Sequence, residues 1–306
     1  MIRLHNTAPI PADMRGAIMA LGNFDGFHLG HQAVVGEVIR WARMEGRPAI
    51  VATFDPHPVR HFKPDAAPFR LTSLDQRQDY FAEAGADAML VFHFDAGMAN
   101  MPAKDWITQV LHQHIGAAGI VTGEDFTFGK GRAGNLALMQ AEGMETRTVG
   151  AVHDEHGPIS SSRIRSHLKN ADPIGAAQLL TRPFAIRGMV QGGDRLGRTI
   201  GYPTANLDMS NYLRPAYGIY AVTGKLPDGR ILHGAANLGI RPTFTPPKEL
   251  LEPYFFDFAE DLYGQEIEVA LHHFLRGEVK FDNLADLTAQ MALDCDVARN
   301  LLGAPA

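Results

Sequence analysis

A chain of 306 residues, 45% hydrophobic and 20% charged, has length for two hydrophobic cores and the balance of a globular protein in water. Its net charge of −6 argues against a sequence-blind grip on nucleic acid, and its lone cysteine, Cys295, excludes an internal disulfide and a four-cysteine zinc site and fits a reducing cytoplasm. No run approaches the roughly 20 apolar residues of a membrane span, and "MIRLHNTAPIPADMRG" lacks the apolar centre of a signal peptide, so the expectation is a cytosolic enzyme.

Up to about residue 180, short apolar runs alternate with helical periodicity. "AIMAL" (17–21) reads as a buried strand, and Val34, Val35, Val38, Ile39 and Ala42 mark a helix over 31–45. The runs "AIVATF" (49–54), "AMLVF" (88–92) and "GIVTG" (119–123) follow, with helix candidates at 74–84 and 103–114. This alternation predicts parallel strands with crossover helices, a doubly wound α/β layer. Ligands of such sheets collect beyond the carboxyl ends of the strands. The polar clusters "GNFDG", "DPHP", "FD" and "EDF" each follow one of the four runs.

The stretch "GNFDGFHLGHQAVV" (22–35) puts two histidines where the first strand hands over to the first helix. Three readings compete. A metal site is short of ligands, because HxxH supplies two and has no Glu between them. Two satisfied structural histidines are the ordinary outcome. A phosphate site at a helix N-terminus is the third, since free N–H groups and the helix dipole favour anions there. Gly26 and Gly30 favour the third, because they clear space for a bulky phosphate. Imidazoles titrate near neutrality and donate to phosphate oxygens. No Walker loop is present, and Gly22, Gly26 and Gly30 recur every fourth residue, unlike G-x-G-x-x-G.

A second cluster, "ISSSRIRSHLKN" (159–170), sets three serines before Arg163 and Arg165 at a helix start. Hydroxyls and a rigid guanidinium fork suit a triphosphate tail. An N-cap with surface arginines accounts for one serine only. Residues 170–182 form a helical connector, and the grammar then changes. "AIRGMVQGG", "YGIYAVTG", "RILHGAANLG", "EPYFFDF" and "IEVALHHF" are partly alternating runs joined by Gly, Pro, Asp and Asn. They read as an antiparallel barrel or sandwich closed by a helix over 284–302. The domains are placed at 1–180 and 181–306.

The motifs "GNFDGFHLGH", "FDPHP", "GEDFTFGKGRAGN" and "ISSSRIR" resemble the HxGH nucleotidylyltransferases. More narrowly, they resemble the adenylyltransferase half of the bacterial bifunctional riboflavin kinase/FMN adenylyltransferases, the FAD synthetases. HxGH alone is shared with other nucleotidylyltransferases and class I tRNA synthetases, but the four motifs in this order are far more specific. In the second half "GRTIGYPTANL" (197–207), "GAANLGIRPTF" (234–244), "LEPYFFDFAEDLYG" (251–264) and "LRGEVKF" (275–281) resemble the riboflavin kinases. Gly192, Gly193, Gly197 and Gly201 mark a strand and loop able to fold over a nucleotide.

The resemblance implies a Rossmann-like first domain and a six-stranded antiparallel barrel with a C-terminal helix. The activity implied is phosphorylation of riboflavin to FMN, then adenylylation of FMN to FAD with release of pyrophosphate, with Mg²⁺ accompanying ATP. Partners are small molecules (ATP, riboflavin, FMN) rather than nucleic acid or membrane, and a weak homo-oligomer is admitted. By resemblance, His28 and His31 match the ATP-phosphate histidines, with Asn23 and Gly30 beside them. Ser161, Ser162 and Arg163 would hold the departing pyrophosphate. Asp125, Phe126 and Phe128 fall on the flavin or nucleotide side, although core packing is the default for both rings. Thr204 and Asn206 match Mg-ATP ligands, and Glu278 matches the base that takes the proton from the riboflavin 5′-hydroxyl. Spacing alone makes Glu278 an exposed charge near Lys280. The chain departs from the family pattern in having FHLGH for VHLGH, ISSSR for ISSTR, and Asn135 where Asp is common.

Two rival classes fit parts of this pattern. One is a nucleotidylyltransferase for a sugar or pantetheine phosphate with an accessory barrel. The other is a non-catalytic nucleotide- or RNA-binding protein with an OB-like barrel. The net charge of −6 and the lack of interleaved aromatic and basic residues count against the latter.

Overall fold

The computed structural model describes residues 1–192, 201–241 and 248–304, with the side chains of residues 241 and 248 excluded. Gly193, Gly197 and the ends of two motifs, residues 198–200 and 242–244, lie outside the described residues. The chain forms two compact units, one of Met1–Ala67 with Leu74–Ile159 and one of Pro68–Ser73 with Ser160–Ala306. The sequence reading divides the chain after residue 180, whereas the helices Ser161–Lys169 and Pro173–Leu180 group with the second unit.

The first unit is built on six parallel strands: β1 (Ile2–His5), β2 (Ile18–Leu21), β3 (Ala49–Asp55), β4 (Ala88–His93), β5 (Gly119–Gly123) and β6 (Glu145–Val149). Their order is β1-β4-β3-β2-β5-β6. Strand β2 pairs with β3 on one side (Ala20 beside Val51) and with β5 on the other (Ala20 beside Val121). The order therefore reverses at β2, and the crevice beyond its carboxyl end is where this topology gathers ligands. All four residues of β2 are buried, as a strand covered on both faces requires. Met19 and Leu21 join one apolar layer with Trp106, Ile107 and Leu111. Ile18 and Ala20 join the other, with Val35, Val38, Trp41 and Phe81.

The helix Leu29–Glu45 crosses from β2 to β3 and buries Val34, Val35, Val38, Ile39, Trp41 and Ala42. Trp41 reaches the sheet because β5 begins with Gly119, where a Cβ would lie 2.3 Å from the indole. The helix Leu74–Ala84 occupies the predicted span. Over 103–115 the chain is helical, and from Trp106 to Ile115 it winds as a π-helix ended by Gly116. It buries Trp106, Ile107, Leu111 and Ile115 in the apolar layer that also takes Met19 and Leu21.

In the second unit, six strands among the described residues close into an antiparallel barrel: β7 (Phe184–Gln191), β8 (Asn206–Asp208), β9 (Gly218–Lys225), β10 (Ile231–Arg241), β11 (Lys248–Phe255) and β12 (Glu266–Arg276). They close in the order β8-β11-β10-β9-β12-β7. Leu207, Leu251 and Leu238 pair across three strands, and all three are fully buried, as are Val222 and Leu271. The opposite face carries Ala221, Ala235 and Tyr254, which form a separate cluster with Cys295 and Ala298 of the C-terminal helix Leu284–Leu302. Two arginine pairs fasten that helix. Arg276 grips Asp294 (Nη2 to Oδ2, 2.7 Å), and Arg299 grips Asp257 (Nη1 to Oδ2, 2.8 Å) while lying over Phe256.

Candidate active sites

In the first unit the loop after β2 carries the histidine pair. His28 is the N-cap of the helix Leu29–Glu45, and its Nδ1 accepts the His31 N–H at 3.4 Å. That leaves Nε2–H as the donor of neutral His28. The two rings stack, with centroids 3.7 Å apart and planes at 21°. A Cβ at position 30 would lie 3.1 Å from His28 Cε1, so Gly30 leaves the ring its place. His28 is only 6% exposed, His31 is half-buried and Asn23 is exposed.

The loop is strained, because Phe24 (φ 49°) and Phe27 (φ 43°) flank Gly26 (φ 86°) in left-handed backbone. Left-handed backbone costs roughly 1–2 kcal/mol per non-glycine residue. Burying each phenylalanine, 2% and 4% exposed, contributes about 1.5–3 kcal/mol and offsets that cost. The rings are held by Phe81 and Tyr80 of the helix Leu74–Ala84.

The other first-unit residues fall at the carboxyl ends of β3 to β5. Asp125 is exposed just beyond β5, and Phe126 is half-buried. Phe128 is a core residue, 8% exposed and covered by Trp106 (centroids 4.9 Å) and Phe126 (5.9 Å). Asn135 caps the helix Leu136–Ala141 by accepting the Leu138 N–H at 3.0 Å, which an Asp would do equally. An aromatic shelf that sequence reasoning missed stands beyond β3 and β4. Phe62, 65% exposed, meets Phe94 at 6.0 Å and His61 at 5.1 Å. A large exposed ring after "DPHP" is the signal that would have found it.

Ser161, Ser162 and Arg163 belong to the second unit, where they open the helix Ser161–Lys169. Ser160 is the N-cap and accepts the Arg163 N–H at 3.3 Å, so the cap uses the serine before the predicted pair.

The barrel assembles its site by register. Asn237 on β10 pairs with Glu252 on β11, and its Nδ2 donates to Glu252 Oε2 at 3.4 Å. On the other side of β11, Leu207 pairs with Leu251, and the Ala205 N–H donates to the Pro253 carbonyl at 2.9 Å. That ladder sets Asn206 beside Glu252, so three polar side chains cross three strands in a row. The row lies on the face carrying Tyr254 and the C-terminal helix. Asn206 is 8% exposed and Thr204 is half-buried. The buried Asn237 Oδ1 takes no hydrogen bond among the described residues.

Glu278 is exposed and arrives from beyond β12, where its Oε1 lies 2.1 Å from where a Cβ of Gly239 would stand. Nearby, the Tyr217 hydroxyl donates to Glu249, whose other oxygen accepts from Arg214 Nε at 2.7 Å. Burial first, then Glu249, pushes the Tyr217 hydroxyl up to about 12. Sequence reasoning singled out neither Glu252 nor Asn237, because their meeting depends on the pairing of two strands.

Residues 10–163 match the FAD synthetase family and residues 180–302 the riboflavin kinase family. The chain is 38% identical over 309 aligned positions, 98% of its length, to the bifunctional riboflavin kinase/FMN adenylyltransferase of Escherichia coli K12, covering 96% of that protein. The chain belongs to the bifunctional riboflavin kinase/FMN adenylyltransferase family. The Bacillus subtilis 168 member is 35% identical, with 96% of each chain covered. A crystal structure described as a macrolide-efflux protein from Streptococcus pneumoniae superposes with a TM-score of 0.87 at 30% identity, covering 98% of this chain and 99% of that one.

Like its relatives, this member of the family phosphorylates riboflavin to FMN and adenylylates FMN to FAD. The Rossmann-like sheet followed by a six-stranded barrel agrees with the fold expected from the sequence. Among the described residues no helix is long and apolar enough to cross a membrane.

Proposed function

We propose that the two reactions divide between the two halves of the chain, adenylyl transfer in residues 1–180 and riboflavin phosphorylation in 181–306. In the first, an FMN phosphate oxygen attacks the α-phosphorus of ATP and pyrophosphate leaves. His28 and His31 donate to the phosphate oxygens as charge develops, and Asn23 and Gly30 shape the same turn. Ser161, Ser162 and Arg163, at a helix start, suit the pyrophosphate. The exposed Phe62 ring, held edge-to-face by Phe94, offers an apolar face to the flavin ring, and Asp125 and Phe126 border the next loop. The observation that carries this reading is the capped, stacked pair of imidazoles beyond the carboxyl end of the strand at which the sheet order reverses.

In the second reaction the riboflavin 5′-hydroxyl attacks the γ-phosphorus of ATP, and a carboxylate takes its proton. The motif resemblance in the sequence points to Glu278 as that base, while the register favours Glu252, which sits between Asn206 and Asn237. The Thr204 hydroxyl and the Asn206 side-chain carbonyl are hard oxygen donors of the kind Mg²⁺ takes beside nucleotide phosphates. An ion held there would neutralise phosphate charge. The chain then works on small molecules in the cytoplasm, without a nucleic-acid or membrane partner, and a weak homo-oligomer is compatible with this chemistry.

The test is incubation with riboflavin and Mg-ATP, with FMN and FAD separated by chromatography. His28→Ala is expected to abolish FAD formation while FMN accumulates. Loss of both products would refute the division of labour.

A further inference from the structure

The strained loop that presents the histidine pair is supported largely by one helix. Phe81 and Tyr80 of Leu74–Ala84 hold its two phenylalanines, and Arg77, one turn earlier, supplies the polar contact. Arg77 is 2% exposed, a rare place for a guanidinium. Its Nη1 donates to the Asn23 carbonyl at 3.0 Å and to Thr53 Oγ1 at 2.7 Å. The Thr53 hydroxyl in turn donates to the same Asn23 carbonyl at 2.8 Å. Two of the three hydrogen bonds of this triangle converge on one backbone oxygen, the Asn23 carbonyl.

That oxygen marks a specific point in the chain. Asn23 is the last residue before the left-handed stretch at Phe24, Gly26 and Phe27, and His28 follows immediately. The β2–β3 ladder ends with the Gly22 N–H on the Ala52 carbonyl, so beyond it the triangle takes over the alignment of the two strand ends. Burying a charge is expensive, and apolar residues of similar volume commonly stabilise a core as well or better. Strained backbone beside a functional group points to positioning.

We infer that Arg77 is a positioning residue for adenylyl transfer. By fixing the Asn23 carbonyl against Thr53, it holds the turn that places His28 and His31 against the nucleotide phosphates. This rests on the assignment of that pair to adenylyl transfer.

The experiment compares KM for ATP in the two reactions of the full-length enzyme, with FMN supplied for one and riboflavin for the other. KM is the readout because a smaller folded fraction lowers the rate but leaves KM in place. Arg77→Gln is expected to raise KM for ATP in FMN adenylylation about tenfold or more, as loss of a charge-assisted contact predicts. KM for ATP in riboflavin phosphorylation stays within about twofold of the parent value. Arg77→Lys, which keeps the charge but not the fork, falls between the parent and Arg77→Gln.

Thr53→Val removes the two hydrogen bonds of its hydroxyl at nearly constant volume, leaves the Arg77 contact to the Asn23 carbonyl, and is expected to raise the adenylylation KM about threefold or more. It decides the matter if Arg77→Gln does not fold. An unchanged adenylylation KM in either variant, or an equal rise in both reactions, overturns the inference. His28→Ala separates the two levels. If it spares FAD formation, both the site assignment and the role of Arg77 fall. If it abolishes FAD formation while Thr53→Val changes nothing, only Arg77 loses its role.

Discussion

The histidine turn and the barrel face, the two sites proposed for the two reactions, are put together in opposite ways. The turn gathers His28, Gly30 and His31 within four consecutive positions of one strand–helix junction. The barrel gathers Asn206, Glu252 and Asn237 from three strands, and Glu278 from beyond a fourth. A site of the first kind is vulnerable to single changes within its own loop. A site of the second kind depends on strand register, since a slip of one residue turns every side chain to the other face.

The largest expected effects break the two regions apart. His28→Ala removes FAD formation and spares FMN. Glu252→Gln lowers FMN formation from riboflavin on the order of 10²–10⁴-fold, as loss of a general base does, and spares FAD formation from supplied FMN. Glu278→Gln stays within about tenfold of the parent turnover. The opposite ranking of the two glutamates would return the base to Glu278.

Next comes the support of the barrel site. Arg276→Ala strips the partner from Asp294, which is only 7% exposed, and is expected to cost about 2 kcal/mol. Denaturant unfolding checks it, with adenylylation of supplied FMN unchanged. Gly239→Ala sets a methyl group where Glu278 Oε1 lies, but that carboxylate is the end of a flexible exposed side chain and swings aside. A fall in riboflavin phosphorylation of about threefold or less is expected, whereas a much larger fall would mean that the placement of Glu278 is critical.

The smallest effect is a pH dependence. Burial first, then His273 and His233, holds His272 below its ordinary value near 6.5, and its Nε2 sits 2.9 Å from Thr223 Oγ1. The unfolded chain takes up that proton at a higher pH than the folded chain does. Barrel stability contributed by His272 is therefore present above about pH 6.5 and declines as pH falls below it. Melting at about pH 7.5 and about pH 5.5 should show a drop that His272→Asn reduces.

What was legible in the sequence follows the same contrast. The four central strands of the sheet read directly, because burial on both faces leaves unbroken apolar runs. The edge strands β1 ("IRLH") and β6 ("ETRTV") escaped, since an edge is half-exposed and carries charge. The helix predicted from 31 begins at Leu29, because His28 itself is the cap. The histidine motif is visible as a string because its chemistry is contiguous. Arg77 in "LDQRQDYF" belongs to no motif, and only its burial against Asn23 and Thr53 distinguishes it. Glu252 needed the pairing of strands far apart in the chain before its neighbours could be known.

One small segment reaches further than its length suggests. Residues 68–73, inside the first half of the chain, belong to the barrel unit, where Arg70 exchanges backbone hydrogen bonds with Asn211 and Leu213, and the Phe69 carbonyl accepts from Arg165. During synthesis this hexapeptide emerges long before the residues that receive it, so the barrel unit cannot be completed until most of the chain has been made. A gene cut at codon 180 would deprive one fragment of its early-made strap and two flanking helices, and coexpressing the pieces would have to restore by encounter what a continuous chain supplies by connection.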